Sequence, residues 1–188
     1  MAIIAKEGAN FEFRQIAPGS YPARCVRVID LGTHEAEYMG EMKEKREVML
    51  GFEFPTEMET FDENKWPQPF FSSKYFTLSL AEKANLRKFL ENWRGKWFTA
   101  DELQGFDLSN LVGIPALISI IEVTNKQGQK RNVIGWASAL PKGMTVDEQI
   151  NESIVFSLDD FDESILAKLG EKTQDKIKES KEYKALIF

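Results

Sequence analysis

Cysteine and histidine are nearly absent from this 188-residue sequence, which contains one of each, Cys25 and His34. One cysteine excludes a disulfide framework, and one histidine excludes a multi-histidine metal site. Because apolar and polar residues alternate around Cys25, we predict that it packs in the interior of the protein. No metal ion or other cofactor is expected.

Long hydrophobic runs are also missing. No stretch approaches the roughly 20 apolar residues that cross a bilayer. The first residues lack the basic region and apolar core of a secretory signal. We therefore expect a cytoplasmic protein that has no membrane partner.

Sequence motifs of the common enzyme classes are lacking as well. The chain has no G-x-x-x-x-G-K-[ST] phosphate loop, no G-x-G-x-x-G, no G-x-S-x-G and no H-E-x-x-H. Carboxylate clusters at 57–63 and 159–163 leave a magnesium-dependent nuclease open as an alternative. Neither cluster is framed by apolar strand ends that would hold ligands rigidly, so we predict a protein that is not an enzyme.

The net charge is −6, but it is unevenly distributed along the chain. Residues 1–64 carry 7 Lys or Arg against 13 Asp or Glu, residues 65–143 carry 11 against 6, and residues 144–188 carry 6 against 11. A polyanion responds to the local electrostatic field rather than to the total charge. A nucleic acid is therefore expected to bind the basic middle of the chain.

Period-two alternation predicts five β-strands before residue 144. Three of them precede any helix, and the last two are joined by a short glycine-containing loop that is typical of a hairpin. The strands are predicted at 21–31, 46–54, 70–78, 114–124 and 130–140, with intervening polar or acidic loops at 32–45, 55–69 and 125–129.

One longer helix is predicted between the third and fourth strands. Ser79 and Glu82 have the spacing of a capping box, and apolar residues then repeat at helical intervals up to Gly95. Phe89 and Trp93 are four residues apart on this helix and are expected to be buried. Two shorter helices are predicted at 99–102 and 107–112.

The element order β-β-β-α-β-β predicts a mainly β fold, a five-stranded OB-like Greek-key barrel. A split sheet with one packed helix has the same element order and stays open. We expect a nucleic-acid-binding domain at 1–143 and an acidic C-terminal tail at 144–188, which is helical or disordered.

Single-strand binding combines cations that follow the phosphates with aromatic faces on which bases stack. In an OB barrel the ligand crosses strands two and three, between the loops after strands one and four. Alternation leaves open whether Phe71 and Tyr75 are outward platforms or core residues, and Lys74 is the strand residue most expected to reach a phosphate. The predicted DNA-binding residues are Lys43, Lys45, Arg46, Phe71, Lys74, Tyr75, Arg87, Lys88, Arg94, Lys96, Trp97, Lys126, Lys130 and Arg131.

A series of short segments between residues 75 and 143 is shared with a known family: Tyr75-Phe-Thr-Leu-Ser-Leu80, Glu82-Lys83, Leu86-Arg87-Lys88, Leu90-Glu91, Trp93-Arg94-Gly95-Lys96, Phe98-Thr99, Glu102-Leu103, Phe106-Asp107-Leu108, Leu111-Val112-Gly113 and Leu140-Pro-Lys-Gly143. Through these segments, residues 21–143 resemble a family of small tailed-bacteriophage proteins described as replication-associated or single-stranded-DNA-binding. The resemblance implies an OB-like fold and a role in DNA replication or recombination in the cytoplasm of an infected bacterium.

The tail contains an acidic and aromatic element at 158–163. Three arrangements stay open: an exposed element that docks replication or recombination proteins, a segment that competes with DNA for the basic groove, and a helix packed on the barrel. The predicted partner-binding residues are Asp159, Asp160, Phe161 and Phe188.

Taken together, these patterns favour a protein that coats single-stranded DNA, and the resemblance implies that it is a phage protein. The alternative is a protein-interaction module that binds a host or replisome protein through the acidic loop at 35–63 and the tail. The sequence leaves open whether the chain forms a homo-oligomer and whether it prefers DNA to RNA.

Overall fold

The computed structural model describes residues 14–187, apart from the side chains at 38 and 187, as a mainly β protein. The predicted order β-β-β-α-β-β is confirmed, and a sixth strand and three helices follow it. The strands are β1 (Gly19–Tyr38), β2 (Glu41–Glu59), β3 (Gln68–Thr77), β4 (Pro115–Thr124), β5 (Lys130–Ser138) and β6 (Ile154–Phe156). The helices are α1 (Asn85–Arg94), α2 (Ala100–Gln104), a 3₁₀-helix (Leu108–Leu111), α3 (Glu163–Leu166), α4 (Glu171–Lys178) and α5 (Lys181–Ile187).

The strands form one sheet with the order β3-β2-β1-β4-β5, in which all neighbours are antiparallel, and β6 pairs with β1 in parallel. The hydrogen-bonded path ends at β3 on one side and at β5 on the other. The sheet is therefore not closed into the predicted barrel. Where β3 and β5 approach each other, a side chain rather than backbone pairing joins them: Lys74 Nζ donates to Ile134 O at 2.7 Å.

Strands β1 and β2 extend beyond their predicted ends and form a long two-stranded arm. The polar residues 32–45, predicted to be a loop, pair across this arm up to the turn at Met39-Gly40. Both turn residues have positive φ, 53° and 79°, as in the type I′ turn whose twist matches that of the flanking strands. The prediction was wrong because the arm is polar on both faces, so hydrophobic alternation gives no signal there.

Helix α1 packs on the inner face of the sheet. The rings of Phe89 and Trp93 lie 6.1 and 5.3 Å from that of Phe52 on β2, which confirms their predicted burial. The helix begins at Asn85, later than predicted, because the Ser79 hydroxyl accepts only from the amide of Ala81 and caps a single turn.

Cys25 belongs to this inner core and is fully buried, as predicted. Burial raises the pKa of its thiol to about 12, because the thiolate would have to be desolvated. The thiol is consequently protonated at neutral pH and far from a reactive state.

The residues after 143 form a second layer, the C-terminal segment (residues 144–187), on the outer face of β1 and β2. Its apolar side chains complete a second hydrophobic core. Three short helices, α3 to α5, lie in this segment, and its apolar side chains pack against the sheet. The predicted domain boundary at 143 stays a prediction. The buried members of the second core are Ile29, Leu31, Met49, Ile154, Phe156, Leu158, Leu166, Leu169 and Ile177.

Three charged residues of the sheet fix the course of the C-terminal segment. Arg24 donates to the carbonyls of Val146 and Asp147 at 3.1 and 2.8 Å. The fully buried Glu53 carboxylate accepts from the amides at 150 and 151 at 2.6 and 2.9 Å. Asp30 accepts from the Leu158 amide at 3.1 Å. These bonds satisfy buried polar groups on both sides of the contact.

Candidate nucleic-acid interface

A groove lies at the open side of the sheet, between β3 and β5. Its volume is about 1680 Å³, and it is lined by the first half of β3, the start of β5, the loop after β2 and the residues before β1. Three phenylalanines and two arginines line it, together with polar and acidic residues at its rim. The residues that matter for recognition are Phe61, Phe70, Phe71, Arg14 and Arg131, with Asp62 and Glu63 at the rim.

The stacked pair of Arg27 and Phe71 stands on the outer face of the sheet at the edge of this groove. The Arg27 guanidinium lies 4.6 Å from the Phe71 ring centroid, within cation–π range. Gly51 makes the arrangement possible, because a Cβ there would lie 2.6 Å from the ring and 3.0 Å from Cβ of Arg27. The ring is 39% exposed, so one part of it is available to a ligand.

Arg27 has no carboxylate within ion-pair distance among residues 14–187. It is half-buried, and desolvation by that burial lowers the pKa of its guanidinium. Buried charges are normally paired, since an unpaired one loses hydration without compensation. An anion bound at this point would supply the missing charge.

The outward face of β3 carries Phe71, Ser73 and Tyr75, which resolves the question that alternation left open. Tyr75 is 53% exposed, and Lys176 Nζ of α4 lies 5.7 Å from its ring centroid. Lys176 also forms an ion pair with Glu47, so the C-terminal segment meets the open part of the face at this point.

Lys74 points to the opposite side of β3 from Phe71 and Tyr75. Its ammonium donates to Ile134 O and lies 6.0 Å from the Phe76 ring centroid, and burial lowers its pKa. This position holds β3 against β5 and keeps the ammonium away from the outer face. The expectation that Lys74 is the strand residue that reaches a phosphate therefore does not fit its placement.

The cations predicted in the first loop lie on the two-stranded arm instead. Lys43 forms an ion pair with Glu41 at 3.5 Å, and Lys45 pairs in register with His34 of β1. Arg46 is bound between Asp30 and Asp159, and its hydrogen bond with Asp30 is the largest contribution that raises the pKa of its guanidinium. Arg46 thus joins the sheet to the C-terminal segment.

The basic cluster around α1 is divided between internal contacts and solvent. Arg87 forms an ion pair with Glu91 at 2.9 Å. Arg94 pairs with Glu102 and stacks on Phe98 at 4.4 Å. The exposed members of the cluster are Lys88, Lys96 and Trp97, the last with 79% of its surface accessible.

The hairpin between β4 and β5 contributes one predicted cation to the groove. Lys130 pairs with Glu122 at 2.8 Å, which raises the pKa of its ammonium, and Lys126 is exposed at the turn. Arg131 lines the groove and has no ion pair within the described part of the chain. The structure thus brings Arg131 to the same groove as Phe71 but separates both from the α1 cluster.

The predicted partner-binding residues of the tail occupy different surroundings. Asp159 pairs with Arg46 at 2.9 Å, and Asp160 is exposed. The Phe161 ring packs edge-on to Phe156 and Tyr183, at 6.0 and 5.7 Å, and is 36% exposed. Phe188 lies outside the described residues.

Sequence reasoning missed Arg27 and Trp136. Simple alternation from the buried Cys25 would turn Arg27 inward, but the register of β1 with β2 shifts between these two residues, so Arg27 lies opposite Gly51 on the outer face. Trp136 lies on β5 and is 55% exposed, because of an irregularity in that strand that no simple pattern predicts.

Between residues 14 and 187, no helix is both long and apolar enough to span a bilayer. Within the same range, His, Cys, Asp and Glu side chains do not come together in any group of three or more that could hold a metal ion.

No protein-family model matches the chain. No curated protein matches it either. The resemblance to the phage family gains no support from these comparisons, and the function has to be argued from the groove itself.

Proposed function

We propose that the protein binds single-stranded DNA along the outer face of β3 and the groove between β3 and β5. The observation that carries the proposal is the Arg27–Phe71 pair, a half-buried guanidinium without a carboxylate partner, stacked on an accessible ring at the groove edge. A phosphate neutralises the guanidinium while a base stacks on the ring.

Two further features support a nucleic-acid ligand. Tyr75 lies four residues from Phe71 on the same face, which corresponds to about 13 Å along a strand and offers a second stacking surface. Arg131 adds a cation on the other wall of the groove. Cations without acidic partners interleaved with accessible rings are the combination that binds unpaired bases with little sequence preference.

The topology favours the same proposal. A meander of β1, β2 and β3, pairing of β1 with β4, and a helix between β3 and β4 are the features of an OB-like arrangement in which the last strand pair is left open. The finer fold we infer is thus an open OB-like sheet. Its groove lies where the β3–β5 pairing of a closed barrel would be.

The test is titration of a fluorescent oligothymidine at low and moderate salt. We expect affinity that falls steeply with salt, because each phosphate contact releases counterions. Phe71→Ala should weaken binding by about fivefold or more, the lower end of the loss expected for one stacked base. Lys88→Ala, which removes an exposed cation on α1 away from the groove, is the matched control and should leave affinity nearly unchanged.

Absence of binding at low salt would overturn the proposal. So would an affinity indifferent to salt, or an equal loss in the Phe71→Ala and Lys88→Ala variants. A role in phage DNA replication or recombination rests on the sequence resemblance alone and depends on this result.

A protein-interaction module is the second candidate, favoured by one observation. Trp66, in the acidic loop between β2 and β3, is 87% exposed, and Phe61 of the same loop is half-exposed. An accessible tryptophan within an acidic rim is typical of a surface that docks a partner. Capture of a host protein that resists nuclease and is lost in Trp66→Ala would favour this function over DNA binding.

A further inference from the structure

The strand β5 contains a one-residue irregularity that changes which side chains face outward. Ile134 and Ala137 are both buried although they are three residues apart, whereas a regular strand buries every second residue. The register with β4 shifts at this point: Ile120 pairs with Ile134 and Ser119 pairs with Trp136. Gly135 is therefore the extra residue of a β-bulge.

Glycine at the bulge has a steric reason. A Cβ on Gly135 would lie 3.2 to 3.3 Å from three carbons of the Ile121 side chain, closer than ordinary van der Waals contact. The bulge is thus occupied by the one residue type that fits beneath Ile121 without displacing it.

The bulge turns Trp136 to the outside of the sheet. Without it, a residue two positions after the buried Ile134 would face the core; with it, the indole is 55% exposed. Arg131 and Val133 face outward before the bulge, and both line the groove. Trp136 therefore continues the groove wall along β5, about 13 to 17 Å beyond Arg131.

We propose that Trp136 is a further stacking site for single-stranded DNA, in addition to Phe71 and Tyr75, which extends the bound strand from the groove along β5. The inference rests on the proposed function and deepens it, since it assigns a path and a length to the site. Bulges commonly re-aim a side chain beside a functional site. Tryptophan offers the largest face for a base.

The experiment compares oligothymidines of two lengths, about 4 and about 16 nucleotides, which span the range bound by one OB-like unit. Trp136→Ala should weaken binding of the longer strand by about fivefold or more and leave the shorter strand nearly unaffected. Trp136→Phe should restore most of the lost affinity, because a ring remains. Trp66→Ala removes another exposed tryptophan and should change neither affinity. Thermal unfolding of each variant checks that the fold is intact.

The outcomes separate this inference from the proposed function. If the wild-type chain binds neither strand, the proposed function itself fails. If the wild-type chain binds and Phe71→Ala weakens binding, but Trp136→Ala behaves like Trp66→Ala, only the stacking site at Trp136 is overturned. Equal losses for both strand lengths in Trp136→Ala would likewise contradict a path that continues from the groove to Trp136.

Discussion

The outer face of the sheet has two halves that differ in how they meet solvent. The half formed by β1 and β2 presents Ile29, Leu31 and Met49, and the C-terminal segment buries all three. The half at β3 and β5 presents rings, and these stay accessible. Each half contains an irregular strand, β1 in the covered half and β5 in the open half. The two halves differ in solvent exposure because the first is apolar enough to bind a second layer, whereas the second carries aromatic rings beside polar and hydroxyl side chains.

The covered half also shows how buried charge directs a chain. Glu53 lies on β2 and Asp30 on β1, and their carboxylates accept from backbone amides of the C-terminal segment. Each carboxylate thereby holds the segment at a fixed position, and the apolar core forms between these points. By contrast, Arg27 of β1, which stacks on Phe71 of the open half, has no acidic partner among the described residues. This contrast is the basis of the proposed binding surface.

Removing residues 144–188 should have the largest effect. The truncation exposes the apolar residues of β1 and β2 and removes the backbone partners that Arg24, Glu53 and Asp30 have in the C-terminal segment. We expect a loss of more than about 5 kcal/mol in the free energy of unfolding, comparable to the whole stability of many domains. Urea denaturation followed by circular dichroism measures it, with dye binding to exposed apolar surface. A soluble fragment of wild-type stability would contradict the two-layer description.

Asp30→Asn should have the next largest effect. Asp30 accepts from the backbone amides of Gly32 and Leu158 and from the Arg46 guanidinium. An asparagine side chain carries no charge, so the partly buried Arg46 would keep Asp159 as its one carboxylate partner among the described residues. We expect a destabilisation of about 3 kcal/mol. Asp62→Asn, an exposed carboxylate on the loop after β2, is the control and should change stability by less than about 0.5 kcal/mol. Equal effects of the two substitutions in urea denaturation would count against the Asp30 junction.

Lys74→Met should have the smallest effect on stability, about 1 kcal/mol, because Ile134 O loses its donor while the apolar stem is kept. Burial lowers the pKa of Lys74 below its ordinary value of about 10.5, so the unfolded chain binds the proton more tightly. Wild-type stability, measured relative to the variant, should therefore rise as pH increases toward 10.5.

Measuring the DNA affinity of the Lys74→Met variant compares the inner and outer faces of β3. Because Lys74 lies on the inner side, Lys74→Met should leave oligothymidine affinity within about twofold, whereas Phe71→Ala should lower affinity with little change in stability. A loss of DNA affinity in Lys74→Met that matches the loss in Phe71→Ala would place the ligand elsewhere.

The elements that were predicted correctly are those whose signals are local. Strands with one buried face, such as 46–54, alternate visibly, and α1 shows its apolar repeat up to the left-handed Gly95. The prediction for the two-stranded arm was wrong because strand pairing, rather than burial of one face, holds the arm together. The candidate binding residues were harder to predict, since charged side chains such as Arg46 and Arg94 resemble phosphate ligands until their internal partners are known.

The sequence by itself determined the mainly β class, the element order and the burial of Cys25, Phe89 and Trp93, because periodicity and composition carry that information over short distances. Only the tertiary structure decided which outward residues are covered, which cations are already paired and where the sheet stays open. Those properties depend on contacts between residues far apart in the chain, such as Glu53 with the amide of Ile150 and Lys74 with Ile134, and short-range patterns do not encode such contacts.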